Sequence, residues 1–309
     1  MALPGGSLTG ATTISNLVQT AYDQYVRMAL RSIPVMRAIA DVKPVQQAMP
    51  GQSVVFSIYS DLSAATSTLT ETLDVSSVAL GNPSQVTVTL QEYGSAVTTT
   101  KKLNLTSFND VDAALADIIA YNAADSIDQV VAGVLTAGTN VIYAGTTATT
   151  TSGITAANTI SVADIREAVV QLRTNKAVPR IGELYAAYLH PRQSADLRAE
   201  SGTGGFQELT KYVERTPFVA GAVGVLEGAF IVETPRVPFA SNGTTNVYKA
   251  VVAGREALAE AMAQDISTVI GPEIDALRRF RTIGWYYFGG FNRLREAALY
   301  RIESAASIS

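Results

Sequence analysis

Residues 108–137 read FNDVDAALADIIAYNAADSIDQVVAGVLTA and carry the strongest helical pattern in the chain. The apolar residues recur at three- and four-residue steps and form one stripe: Val111, Leu115, Ile118, Ile119, Ile127, Val130, Val131, Val134 and Leu135. The remaining surface, expected to face solvent, carries four aspartates: Asp112, Asp117, Asp125 and Asp128. With Asn109 or Asp110 as N-cap and Gly138 as stop, the pattern predicts a helix of roughly 42 Å, which is a spine rather than a short packing element.

Two strand patterns precede this helix. Side chains alternate over residues 54–58 and again over 86–90, which predicts two strands. The residues between them are rich in Ser and Thr, with scattered apolar side chains such as Leu69, Leu73 and Val75. A two-stranded hairpin cannot build a core alone, and a long loop of this kind is usually functional. Its expected function is to reach another subunit.

The N-terminal region carries a second helical pattern. Apolar residues recur at helical spacing over 13–33 and include Tyr22 and Tyr25. Pro34 is expected to end the helix, because the residue before a proline is disfavoured in the α region. A core helix and an arm that docks on a neighbouring subunit fit this pattern equally well.

The remainder of the chain predicts a mixture of helices and strands. Ser161 caps a helix that runs to Thr174, a strand covers 184–189, and a short helix starts at Pro191. Short strands and turns are expected over 206–265, with 230–232 and 247–253 the clearest strands. The last segment, Ala276 to Ser304, predicts two long strands joined near Gly289-Gly290.

Composition restricts the class of protein. The chain has 309 residues, of which 47% are hydrophobic and 16% charged, which indicates a folded, well-packed protein. So few charges suit a surface that is partly hidden against partners, although a monomer with a Ser/Thr surface would look similar. The net charge of −4 argues against tight, sequence-specific binding of nucleic acid. The absence of cysteine excludes disulfides and thiolate-bound metals. The sequence has neither the basic n-region of a signal peptide nor a long apolar run. We therefore expect that the chain does not span a membrane and that it is made in a cytoplasm.

Motifs for catalysis or cofactor binding are missing from the sequence. The single histidine, His190, precedes Pro191 and is interpreted as structural. Gly202, Gly204 and Gly205 lie in a segment better explained as a flexible loop than as an anion site. The helix aspartates offer no pair of a buried acid and a base. We therefore expect neither an enzyme nor a bound cofactor or metal.

Three arginines form a basic cluster near the C-terminus: Arg278, Arg279 and Arg281. They fit a strand whose charges face solvent. They equally fit an ion-pair site for acidic residues of a neighbouring subunit, because guanidinium groups bind carboxylates in a bidentate geometry.

Several segments resemble one family: 50–56 (PGQSVVF), 69–71 (LTE), 86–94 (VTVTLQEYG), Asp265, Arg278-Arg279 and 283–285 (IGW). Together with the order of elements, they are similar to the major capsid proteins of tailed bacteriophages, of the podophage type. The resemblance implies an α+β, HK-97-like fold. Its implied parts are an N-terminal arm (1–48), an extended β-hairpin loop (49–100), a peripheral domain (101–205 and 265–309, with the spine helix at 109–137) and an axial domain (206–264).

The same resemblance implies a function. The subunit would self-assemble, as hexamers and pentamers, into an icosahedral head shell around phage double-stranded DNA, which it would contact non-specifically. Scaffolding, portal and decoration proteins are candidate partners. The protein would be synthesised in the host cytoplasm and would reside in the virion capsid. The residues expected at subunit contacts are Tyr22, Tyr25, Leu69, Glu71, Leu73, Pro272, Glu273, Arg278, Arg279 and Arg281.

Three alternatives remain at the level of sequence. An encapsulin-like nanocompartment shell protein would share the fold. A phage tail or surface β-protein is disfavoured by the long helix. An enzyme, such as a carboxylate hydrolase, would require a concave pocket that contains carboxylates with perturbed pKa values.

Overall fold

The structure is a computed structural model that describes residues 34–44, 52–59, 61–72, 74–75, 77–106, 111–145, 148–200, 222–272 and 275–308. The helix predicted over 13–33, the loop over 201–205, and the side chains of Tyr22, Tyr25, Leu73 and Glu273 lie outside these residues. The described strands are β1 (Ala40–Pro44), β2 (Ser53–Ile58), β3 (Ser84–Thr89), β4 (Gln91–Thr100), β5 (Val141–Tyr143), β6 (Tyr185–Leu189), β7 (Ala222–Leu226), β8 (Ala229–Glu233), β9 (Phe239–Ser241), β10 (Asn246–Ala253), β11 (Leu258–Ile270), β12 (Phe280–Arg293) and β13 (Leu299–Ser304). The described α-helices are α1 (Lys101–Thr106), α2 (Val111–Thr136), α3 (Val162–Thr174) and α4 (Pro191–Ala199).

The strands form three sheets. One has four strands in the order β1-β11-β12-β4, and a second has the path β5-β13-β10-β6-β8-β7 with β9 paired to β10. The third is the hairpin of β2 and β3. Together with the helices they confirm the predicted α+β class.

Helix α2 confirms the predicted spine. Its 26 residues extend for about 39 Å. Ile119, Ala123 and Ile127, in the first two-thirds of the helix, pack against β12 of the four-stranded sheet. Nearer the C-terminal end, Val131 and Leu135 pack with residues of β6 and β10 in the seven-stranded sheet. The helix therefore spans both sheets, which explains why its apolar stripe continues over its length.

Helix α3 covers the other face of the seven-stranded sheet. Its Ile165, Val169 and Leu172 are buried with alternate residues of β6 and β10. The predicted cap is confirmed: the Ser161 hydroxyl accepts a hydrogen bond from the backbone N–H of Asp164, and the Asp164 carboxylate accepts one from the backbone N–H of Ser161. This capping box satisfies two backbone donors that the first helical turn leaves without partners.

The predicted junction at Gly289-Gly290 is wrong. β12 continues through both glycines to Arg293, and the chain turns later, at a 3-10 helix over Glu296–Ala298. A Cβ atom on Gly290 would overlap the carbonyl oxygen of Thr89, and one on Gly289 would lie 2.8 Å from the carbonyl oxygen of Ala261. The glycines therefore allow close approach of neighbouring strands, a role that a sequence pattern cannot distinguish from a turn.

The prediction that all four helix aspartates face solvent is also wrong. Asp128 has 0% of its surface exposed, and Asp125 forms an ion pair with Arg236. Both carboxylates have partners that lie far away in sequence, and those partners offset the cost of burial. Strand β11, with 13 residues, also exceeds the short strands expected in this region.

The sheets divide the chain differently from the domain boundaries expected from the family resemblance. The boundary at 205/206 separates β6 from β8, although these strands pair in parallel. The boundary at 264/265 falls inside β11. The expected domain division stays a prediction; we name the elements around the seven-stranded sheet and those around the four-stranded sheet as two units, which α2 joins.

Candidate functional site

The connection between β2 and β3 is the most exposed part of the described chain. The predicted strands are confirmed as an antiparallel pair whose last register pair is Ile58 with Ser84. Beyond that pair, residues 61–72, 74–75 and 77–82 are exposed and belong to no helix or strand. Their apolar side chains are exposed as well, with Leu69 and Val78 each at 76%. A loop that presents apolar side chains to solvent is a candidate contact surface.

The base of this hairpin, in contrast, is firmly attached. Val88 and Leu90 are buried against Ala259 and Ala261 of β11. The Asn292 side-chain amide donates a hydrogen bond to the carbonyl oxygen of Thr87 at 2.8 Å. The loop therefore extends from a buried base, and Leu69 and Glu71, which are predicted to make subunit contacts, lie at exposed positions.

The connection between β11 and β12 forms a second exposed surface. Pro272 and Leu277 are exposed, and the backbone N–H of Arg278 donates to the carbonyl oxygen of Asp275 at 2.8 Å to close a turn. The guanidinium of Arg279 bonds to the Asp275 carboxylate at 2.5 Å. Within the isolated subunit, Arg279 thus has an acidic partner on its own loop. Leu277 was missed by sequence analysis, since a single leucine beside arginines gives no periodic signal.

The cluster of arginines is divided by the strand pairing. Arg281 belongs to β12 and pairs in register with Thr99 of β4, whereas Arg278 and Arg279 precede the strand. Pro272, Arg278 and Arg279 therefore share one connection, and Leu69 and Glu71 lie on a separate loop. That all of them contact neighbouring subunits stays a prediction.

His190 is the N-cap residue of α4, in line with its structural interpretation. Its Nδ1 accepts a hydrogen bond from the backbone N–H of Arg192 at 3.2 Å, and its ring lies 4.6 Å from that of Tyr248. Partial burial, together with the positive charge of Arg192, lowers the pKa of His190 below its usual value. The neutral imidazole is the form that can accept this hydrogen bond.

We expect a pH dependence of stability from this cap. Because the folded-state pKa of His190 is lowered, its contribution to the free energy of unfolding is complete above about pH 6.5 and is lost as the pH falls through the folded-state pKa. Between pH 7.5 and 5, the wild type should lose up to about 1 kcal/mol relative to His190→Asn, whose cap does not titrate. Urea unfolding of both proteins measures this difference. A pKa for the His190 C2 proton above 6.5 by NMR would contradict it.

A shallow cavity lies across β4, β11 and β12. It has a volume of about 360 Å³, and its lining includes Gly94, Gly284, Trp285 and Tyr286 but no carboxylate. It therefore lacks the acidic groups that a carboxylate hydrolase would need. Among the described residues, no group of three or more His, Cys, Asp or Glu side chains is placed to hold a metal ion. No helix in the described part of the chain has the length and apolar character for crossing a bilayer.

Comparison with known families identifies the chain. A family model described as phage capsid protein matches residues 12–308, nearly the entire sequence. The chain belongs to the phage capsid protein family. This capsid protein is thus a structural shell subunit of a phage capsid and not an enzyme, and its place is the virion capsid. The assembly of capsids implies that it associates with copies of itself.

Solved capsid structures share its fold. The capsid of Ralstonia phage GP4 gives a TM-score of 0.77 at 14% identity, over 94% of this chain and 96% of that chain. The acid-stable capsid of Helicobacter pylori bacteriophage KHP30 gives 0.74 at 14% identity, over 98% and 100%. The capsid of cyanophage Pam1 gives 0.71 at 14% identity, over 96% and 98%. At such identities the likeness shows the fold alone, which is HK-97-like as predicted. No curated protein sequence matches the chain, and none of these likenesses favours the encapsulin-like alternative.

Proposed function

We propose that the capsid protein forms the head shell by laying its 59–83 loop on an adjacent subunit. The observation that supports this proposal is that the β2–β3 hairpin has a buried base and an exposed loop with apolar side chains. Val88 is 1% exposed at the base, whereas Leu69 and Val78 are largely exposed beyond it. Since the described part of the subunit leaves these side chains uncovered, a second copy is the surface that would bury them.

We propose that other parts of the subunit make further contacts with neighbouring copies. The connection over 270–279, with the exposed Pro272 and Leu277, would meet other copies near threefold positions. The axial domain, 206–264, would surround the fivefold and sixfold centres in pentamers and hexamers. The N-terminal arm, 1–48, would reach a neighbour. Because each subunit would share several modest surfaces, weak contacts would add up to a cooperative shell.

The contents and partners of the shell follow from the same proposal. The head would enclose double-stranded DNA, and a subunit with net charge −4 would touch it only non-specifically. Scaffolding, portal and decoration proteins are proposed partners. Synthesis and assembly would take place in the host cytoplasm.

Electron microscopy of the purified full-length protein, alone and co-expressed with the other head genes, tests this function. We expect closed shells or rings of five and six subunits. The substitutions Leu69→Ser and Val78→Ser, made together, should reduce the yield of shells, because both side chains would lie in the proposed contact. Val178→Ser, at an exposed valine on the connection between α3 and β6, is the control and should leave the yield unchanged. Equal yields from the loop variant and the control would contradict the proposed role of the loop.

A further inference from the structure

We infer that residues 34–44, the arm root, act as a lock that holds the seven-stranded and four-stranded sheets in one relative orientation and links that orientation to the N-terminal segment before it. The arm root comprises a 3-10 helix at Met36–Ile39 followed by β1. Its β1 is the edge strand of the four-stranded sheet, and the arm root also contacts the spine helix α2 and the seven-stranded sheet.

The contact with the spine is made by a buried carboxylate. Asp128, with 0% exposure, accepts hydrogen bonds from the backbone N–H groups of Met36 at 2.7 Å, Arg37 at 3.1 Å and Val35 at 3.3 Å. These donors belong to the start of a helical turn, where no backbone acceptor is available to them. The same carboxylate lies 3.9 Å from the guanidinium of Arg236, which is on the β8–β9 connection. Asp128 thus joins the arm root, the spine and the seven-stranded sheet.

The contact with the four-stranded sheet is a buried ion pair. The Arg37 guanidinium binds Glu260 of β11 in a bidentate manner, with its shortest contact at 2.6 Å, and Glu260 is 0% exposed. Tyr287 of β12 donates its hydroxyl to the same carboxylate at 2.9 Å. Arg37 also reaches Asp265 at 3.0 Å, next to an irregularity in the β11 register. Parallel pairing of β1 with β11 extends this attachment along the strand.

The contact with the seven-stranded sheet uses two side chains near β6. The Arg180 guanidinium binds the Asp41 carboxylate at 2.5 Å and donates to the carbonyl oxygens of Ala40 at 3.1 Å and Ala38 at 3.3 Å. The Tyr188 hydroxyl donates to the carbonyl oxygen of Val35 at 3.3 Å. Met36 and Ile39 are buried in the core cluster that also contains residues of β6 and β10.

These contacts add to the packing of α2 against both sheets, and they link the position of the arm root to the orientation of the sheets. Each sheet is bound to the arm root by its own polar contacts, and both sets form together only at one orientation of the sheets. A second copy that binds the segment before Pro34 and shifts the arm root would therefore change the preferred orientation of the sheets. By thermodynamic linkage, a change in that orientation would equally change the affinity of the second copy for the segment. Binding of this segment by a second copy rests on the proposed function, whereas the contacts that hold the two sheets lie within a single subunit.

Distance measurement between the two sheets tests the lock. Because the chain has no cysteine, Val97→Cys on β4 and Thr244→Cys beside β10 give two unique sites for spin labels in the full-length, unassembled subunit. Double electron–electron resonance then reports the distribution of distances between the sheets. Arg180→Gln removes the ion pair with Asp41, one of the links to the seven-stranded sheet, and leaves the buried carboxylates paired. Arg166→Gln is the matched control, because Arg166 bonds to Glu227 at 2.9 Å within the unit of the seven-stranded sheet.

We expect a narrow distribution for the wild type and for Arg166→Gln, and a clearly broader one for Arg180→Gln. Asp128→Asn, a nearly isosteric change, should also broaden it and should make the amides of Met36 and Arg37 exchange about tenfold faster, the effect of roughly 1.4 kcal/mol of lost local stability. If the distribution stays as narrow as in the wild type in both variants, the arm root does not hold the sheets and the inference is wrong. The distance measurement uses unassembled subunits, so its result does not depend on whether the proposed function in shell assembly is correct.

Discussion

Subunits whose residues 59–83 are replaced by a two-residue Asn-Gly turn are expected to fold normally and to form no closed shells. Ile58 and Ser84 are directly paired at the end of the β2–β3 ladder, so a tight type I′ turn can join them without changing the register. The buried base of the hairpin, with Val88 and Leu90 on β11, is left intact. The variant loses only the exposed loop. Circular dichroism and thermal unfolding measure folding, and electron microscopy measures assembly.

A loop of the original length but of Gly/Ser composition is the control for this prediction. It keeps the reach of the connection and removes the apolar side chains at Leu69, Val75 and Val78. Partial or fragile shells from this control would show that both the length of the loop and the burial of its apolar side chains contribute to assembly. Shells of normal size and yield from the shortened subunit would show that the loop plays no part in assembly.

Replacing Gly290 by alanine is expected to destabilise the subunit by about 3 kcal/mol, at the upper end of the usual cost of overpacking. The added Cβ would overlap the carbonyl oxygen of Thr89, which belongs to a strand and cannot rotate away, and would lie 3.0 Å from Cγ1 of Val88. Since β3 would have to move off β12, the base of the loop would shift as well. Urea unfolding measures the loss of stability, and amide exchange in β3 locates it.

Gly133→Ala is the matched control, because nothing lies within 4 Å of a Cβ at that position on α2. Alanine removes the conformational cost of glycine in a helix, so this variant should be more stable than the wild type by about 1 kcal/mol. The two identical substitutions are therefore expected to have opposite signs. An unchanged unfolding midpoint for Gly290→Ala would mean that β3 and β12 do not approach each other as closely as described.

The elements with strong local signals could be predicted from the sequence. The apolar stripe of α2 was recognisable because an amphipathic helix repeats its burial every three to four residues. Ser161 predicted the start of α3 because an N-cap residue lies next in sequence to the helical turn that it caps. The alternation over 54–58 and 86–90 predicted the hairpin. The exposure of Leu69 followed from the lack of any pattern that could bury it.

Elements whose role depends on distant partners could not be predicted in this way. Asp128 follows the spacing of the solvated aspartates, yet it is buried, because the backbone donors of Val35, Met36 and Arg37 reach it from elsewhere in the chain. Strand β11 gave only a weak pattern, since sheet neighbours on both sides and a register irregularity disturb its alternation.

The sequence by itself determined the α+β class, the spine, the extended hairpin and the resemblance to tailed-phage capsid proteins, because these rest on local periodicity and on the order of elements. Only the tertiary structure decided that Gly290 lies within a strand, that the seven-stranded sheet unites β6 with β8 and β10, and that Arg37 and Glu260 meet. Contacts between residues that are far apart in sequence depend on how the elements pack, and no local pattern records that packing.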